Sequence, residues 1–173
     1  MGRLALSFLA MIGGLGLAQA EEVIVSMNLI DAKGVGKAIG SVKAEPTSSG
    51  LLLTPQLSGL PTGLHGFHMH ENPDCSAAEK EGKKVAGLAA GGHYDPAQTG
   101  RHEGPYRAGH AGDLPALYVD QEGKATLSVL APRLKVADLK GRSLMIHTGG
   151  DNYSDQPEKL GGGGARMACG VVK

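Results

Sequence analysis

Seven histidines carry the chemistry of this chain, and all of them lie between His65 and His147. His68 and His70 flank Met69 in an apolar run of strand character. Residues two apart on a strand project from one face, so both imidazoles can reach one ion. His147 lies in a second such run, at 143–148, and can supply a third ligand. His93, His102, His110 and Asp113 fall within 21 residues of turn-rich sequence. Three imidazoles and a carboxylate are the donor set of a tetrahedral zinc site. Any one of these histidines would ordinarily be a satisfied polar residue, but six falling in two clusters reverse that expectation. Imidazole-rich sites suit copper as well as zinc. Two clusters with this many donors fit two ions better than one. Spacing alone says neither whether the clusters share a ligand nor which metal each takes.

The elements that must position these groups read as short strands. Strand-like runs occupy residues 23–29, 38–42, 51–57, 64–70, 116–119, 125–130, 143–148 and 167–172, many bounded by Gly, Pro or Asp-containing turns. Asp120-Gln121-Glu122-Gly123 links two of them as a hairpin would. Eight such runs with few helical stretches predict an antiparallel sandwich or barrel. Pro55 lies inside a run, which predicts an edge strand or a bulge there. Two long segments, 71–114 and 149–165, interrupt the scheme and contain or border most of the candidate ligands. Loops of that length are usually functional. The tetraglycine at 161–164 reads as flexible backbone rather than a phosphate loop, because no Lys-Ser/Thr follows it.

The chain has 173 residues, 41% hydrophobic and 20% charged, enough apolar content for one packed domain. Its 28 glycines and absence of Trp favour tight turns over long helices. Lys plus Arg equals Asp plus Glu at 17 each, which argues against a nucleic-acid partner. Arg3, the uncharged apolar run 4–17 and Ala18-Gln19-Ala20 resemble a secretory signal cleaved after Ala20. The apolar run is too short to span a membrane, and no Cys follows it for lipid attachment. The expectation is a signal peptide at 1–20 and one domain at 21–173, exported without a membrane anchor to the periplasm. In that oxidising compartment Cys75 and Cys169, the only two cysteines, are expected to form a disulfide. Their separation lacks the clustering that zinc thiolates favour.

Gly66-Phe67-His68-Met69-His70-Glu71, Gly91-Gly92-His93, Gly109-His110-Ala111-Gly112-Asp113-Leu114, Ile146-His147 and Arg166-Met167-Ala168-Cys169-Gly170 resemble the copper/zinc superoxide dismutases. The motifs run in the family's order, and the leader and the segment between Cys75 and His93 resemble its bacterial periplasmic branch. The resemblance implies an eight-stranded antiparallel Greek-key β-sandwich or barrel, immunoglobulin-like, with two long functional loops. It implies dismutation of superoxide to dioxygen and hydrogen peroxide, as antioxidant defence, by one copper and one zinc ion per chain. Copper would be held by His68, His70, His93 and His147; zinc by His93, His102, His110 and Asp113, with His93 bridging. His93 would also carry a proton during turnover.

Asp151 matches the family's carboxylate linking His68 to His102, although a turn residue is what its local sequence alone favours. Arg166 matches the arginine that binds and orients the anion beside copper. His65 matches a structural position, consistent with its facing away from His68 on a strand. Lys80, Lys83 and Lys84 in the insert 76–90 would share one face if that stretch is helical, and could then guide the anion; Gly82 and two glutamates weaken that reading. Monomer and homodimer both remain open. A metal-storage sandwich would keep the ligands but has no use for Arg166, and a disulfide-stapled adhesion domain leaves the histidines unexplained.

Overall fold

The computed structural model describes residues 22–173, so the expected leader at 1–20 lies outside the described residues. Strands β1 (Val23–Asp31), β2 (Gly34–Thr47) and β3 (Gly50–Ser58) form an antiparallel meander. Alternation drives it: Val25 and Met27 on β1 and Leu51, Leu53 and Leu57 on β3 point into the core. The chain then crosses to β4 (Gly63–His65) and β5 (Phe67–His70), passes through β6 (Ala78–Lys80) and β7 (Lys83–Val85), and returns as β8 (Leu117–Val119), β9 (Lys124–Ala125) and β10 (Val129–Ala131). A single helical turn, α1 (Val136–Leu139), precedes β11 (Ser143–His147) and β12 (Arg166–Val171).

The main sheet runs β10-β3-β2-β1-β12-β11-β5, with β9 also on β3. β4 pairs with β8, and β8 folds back into β9 through a turn whose Asp120 N–H donates to Lys124 O at 2.9 Å. The path therefore returns to β3, giving the antiparallel barrel that the strand pattern predicts, with the Greek-key connection that the resemblance implies.

Three details differ from the sequence reading. The run 64–70 is two strands in different sheets, divided at Gly66, and 125–130 is likewise two. Pro55 is not on an edge: β3 lies between β2 and the β9–β10 pair. The second ladder is broken between Leu53 and Leu57, and Pro55 stands in that interval, where its missing N–H interrupts no pairing on that side. The insert is a hairpin, β6–β7, not a helix. Lys80 and Lys83 sit opposite each other and share a face, while Lys84 pairs with Glu79. The three lysines therefore do not form one helical face.

β5 and β11 are buried on both sides. Phe67, Met69, Leu144 and Ile146 enter the main core. Their alternate neighbours, including His68, His70 and His147, face outward beneath the two long loops. A second small core of Ile30, Cys75, Ala90, Met145 and Cys169 lies under the insert. There the Cys75–Cys169 disulfide, Cα to Cα 5.8 Å, ties the segment after β5 to β12. Among the described residues no helix is long and apolar enough to cross a membrane.

Candidate metal centre

The outward histidines of β5 would be wet on a bare barrel, and backbone pairing brings the loop over them. Met69 N–H donates to Gly112 O and Tyr94 N–H to Met69 O, both at 2.8 Å. These bonds lay His93 and Asp113 beside β5, where His70 bridges His93 and His68 bridges Asp113. Gly112 is required for this approach, since a Cβ there would lie 2.8 Å from Tyr94 N. The second loop covers the other side. Gly66 N–H donates to Gly149 O at 2.8 Å, and Gly149 N–H to Gly163 O at 2.8 Å.

Two donor groups result, and His93 belongs to both. His68, His70, His93 and His147 present one ring nitrogen each within 4.8 Å of one another; so do the donor atoms of His93, His102, His110 and Asp113. In the first group the far nitrogen of every ring is already engaged. His68 Nε2 meets Asp151 Oδ2 at 2.7 Å, His70 Nδ1 meets Gly91 O at 3.0 Å, and His147 Nδ1 meets Gly164 O at 3.2 Å. His93 turns Nδ1 towards Asp113 Oδ1 at 3.0 Å. The four remaining nitrogens, His68 Nδ1, His70 Nε2, His93 Nε2 and His147 Nε2, are buried without a partner. Such groups are rare because burying an unsatisfied acceptor costs about 1–3 kcal/mol each.

In the second group, Asp113 Oδ1 has three imidazole nitrogens around it: His93 Nδ1 and His102 Nδ1 at 3.0 Å and His110 Nδ1 at 3.3 Å. His102 Nδ1 satisfies the distance but not the direction of a hydrogen bond and is likewise unpartnered. Edges near 3 Å are those of a tetrahedron whose corners lie about 2 Å from its centre, the zinc–nitrogen distance. Asp113 Oδ2 is held by the N–H groups of Glu103 and Gly104, both at 3.2 Å. The orphaned nitrogens and the tetrahedral edges both fit metal ions in these two groups.

Asp151 joins them from behind. Its Oδ2 accepts from His68 Nε2, and its Oδ1 accepts from His102 Nε2 at 2.8 Å and Tyr153 N–H at 2.8 Å. Both rings thus carry their proton on Nε2 and turn a lone pair on Nδ1 inward. Sequence reasoning found Asp151 only through family resemblance. It missed Gly161, whose positive φ and absent side chain make room for Asp151 Oδ1. The tetraglycine is thus packed against the site, with Gly163 on the His147 ring.

The electrostatics favour neutral rings in the four-histidine group. Burial, with the neighbouring His93, lowers His68 to about 3, and burial lowers His147 to about 4. Burial also takes His70 well below its ordinary value. Burial opposes protonation of His102 too, but the contacts to Asp113 and Asp151 outweigh it and raise this ring to about 9. Burial likewise works against the Asp113 and Asp151 carboxylates, and their imidazole partners outweigh it, holding both below the usual range.

Arg166 is half-buried at the rim. It donates to Gly87 O at 2.5 Å and to Gly91 O at 2.6 Å, close enough to His70 and His147 for its charge to disfavour their protonation. His65 stays outside both groups, with Nδ1 on His147 O at 2.9 Å and Nε2 on Pro61 O at 2.8 Å. Lys80, Lys83 and Lys84 are exposed on the insert hairpin and take no part in either group.

A Greek-key barrel with a four-histidine site sharing one imidazole with a three-histidine, one-aspartate site defines a two-metal protein of the β-barrel class. The sequence profile described as copper/zinc superoxide dismutase (SODC) matches residues 38–172. The Escherichia coli K12 superoxide dismutase [Cu-Zn] is 55% identical over the full length of both chains. The solved Cu/Zn superoxide dismutase from Brucella abortus superposes with a TM-score of 0.87 at 52% identity, covering 88% of this chain and all of that one. The monomeric copper, zinc superoxide dismutase from Salmonella enterica gives 0.80 at 56% identity, with the same coverages. The chain belongs to the copper/zinc superoxide dismutase family.

Proposed function

We propose that His68, His70, His93 and His147 hold the copper ion of this superoxide dismutase and that His93, His102, His110 and Asp113 hold its zinc. The observation that carries this is His93, which offers Nε2 to one group and Nδ1 to the other. Copper supplies the one-electron redox change that turns two superoxide ions and two protons into dioxygen and hydrogen peroxide, and d¹⁰ zinc supplies fixed charge. The chain does the rest. Asp151 fixes the tautomers of His68 and His102, and Gly91 O and Gly164 O do the same for His70 and His147. His93 Nε2 is the atom that would hold a proton between the two half-reactions, while its Nδ1 stays turned to the second group. Arg166, fixed by two carbonyls, supplies a charge-assisted donor for the anion.

Export to the periplasm is supported by the leader-like sequence and the disulfide. One chain supplies every ligand, so monomer and homodimer serve the chemistry equally.

The test is metal content measured beside superoxide consumption. Wild type should carry one copper and one zinc per chain. His147→Ala should lose copper and activity while keeping zinc, because His147 belongs only to the first group. Full activity with copper retained in that variant would refute the assignment.

A further inference from the structure

The zinc loop has almost no secondary structure of its own. Among the described residues, the backbone-to-backbone bonds of residues 103–110 are His110 N–H to Arg101 O at 2.9 Å and Asp113 N–H to His110 O at 3.4 Å. Yet Gly104, Pro105, Gly109 and His110 are buried, while Tyr106, Arg107 and Ala108 between them form an exposed tip. Buried carbonyls without a ladder need donors from elsewhere. A single side chain provides them. Arg133, half-buried between β10 and α1, donates Nε to Pro105 O at 3.0 Å, Nη1 to Gly109 O at 2.9 Å, and Nη2 to Gly104 O at 3.1 Å and to His110 O. Two acceptors lie on the incoming side of the tip and two on the outgoing side.

We infer that Arg133 is the positioning residue that clamps the neck of this loop and so places His110 among the zinc ligands. The inference rests on the zinc reading above. Four bonds spread over both sides of a neck suit the planar fork of a guanidinium, and a lysine ammonium, a point donor, does not reproduce them. The accepting carbonyl of His110 belongs to the ligand residue itself. The clamp is independent of metal, since none of its partners is a ligand atom, so it organises the loop before zinc arrives. Arg133 touches no reacting group, and its neighbour Leu134, not Arg133, faces the core.

The experiment compares wild type, Arg133→Lys and Arg133→Met as full-length exported protein with the disulfide intact. Zinc affinity is read by chelator competition on the metal-free proteins and should fall about 10- to 100-fold in both variants, the usual loss when a ligand's supporting contacts are removed. Copper bound at His68, His70, His93 and His147 should be retained, which also reports that the barrel has folded. In the metal-free state, the His110 and Gly104 amides should lose exchange protection in both variants, and trypsin should cut after Arg107 faster than in wild type. Equal zinc affinity, protection and cleavage across the three proteins would overturn the clamp, as would full recovery by Arg133→Lys. Absence of zinc binding in wild type would sink the zinc reading instead, and exchange and cleavage in the metal-free proteins would still decide whether Arg133 closes the neck.

Discussion

Replacing Asp151 with Asn keeps shape and removes one acceptor, and the structure says which ring loses it. Oδ1 accepts from two donors, His102 Nε2 and Tyr153 N–H, whereas Oδ2 accepts only from His68 Nε2. The amide oxygen of the variant should therefore take the Oδ1 position, leaving its NH₂ facing the His68 N–H. His68 must then give up that bond or move its proton to Nδ1, where the metal should bind. A charge-assisted hydrogen bond contributes about 1.5–3 kcal/mol. At 1.4 kcal/mol per decade, that is a loss of about 10- to 100-fold in affinity at the four-histidine group. The zinc group should suffer less, because His102 keeps its acceptor. Competition titrations with copper and zinc on the metal-free protein read both constants. Zinc weakened more than copper, or both unchanged within about twofold, would refute the argument from the two oxygens.

Removing the disulfide as Cys75→Ser with Cys169→Ser should lower stability by up to about 4–5 kcal/mol on the chain-entropy estimate for a 94-residue separation. Activity should fall further than copper content, because Arg166 and its carbonyl partners lie on the segments the bond joins; an unchanged Tm contradicts this. Metal-free protein should be most stable near neutral pH. His68 and His147, lowered to about 3 and about 4, contribute stability that is present above the ordinary imidazole value of about 6.5 and is lost as pH falls towards those lowered values. His102, raised to about 9, contributes stability that is full below about 6.5 and is lost as pH rises through 9. Denaturation midpoints that rise between pH 6.5 and 4.5 would contradict the signs. If the insert guides the anion, Lys80→Gln with Lys83→Gln should lower the second-order rate at low salt more than Lys84→Gln, whose charge faces Glu79. The gap should close as ionic strength rises past about 0.15 M, and identical rates and salt slopes would leave the lysines a surface role only.

The candidate ligand residues were legible because strand parity and turn-rich spacing are written in residue types. His68 and His70 had to share a face wherever their strand lay. What remained hidden depended on the backbone. The outward side of β5 is buried, so the run 64–70 shows no break in polarity at Gly66, and two strands read as one. The insert carried lysines at helical spacing, but Glu81 and Gly82 both take positive φ, 52° and 75°, and close a hairpin instead. Gly82 was the available signal. The roles of Gly91, Gly164 and Arg133 run through main-chain carbonyls, which no sequence position distinguishes. The tetraglycine read as slack is shaped to fit Asp151 and His147.

Gly91 O accepts from His70 Nδ1 and from Arg166 Nη2, filling both of its lone pairs. That single oxygen is a two-armed lever. A displacement of the guanidinium would reach the His70 ring across two hydrogen bonds, without passing through any ion. A change that moves Gly91 O therefore acts on the Arg166 guanidinium and on the His70 ring together. The Gly87 carbonyl, by contrast, holds the guanidinium alone.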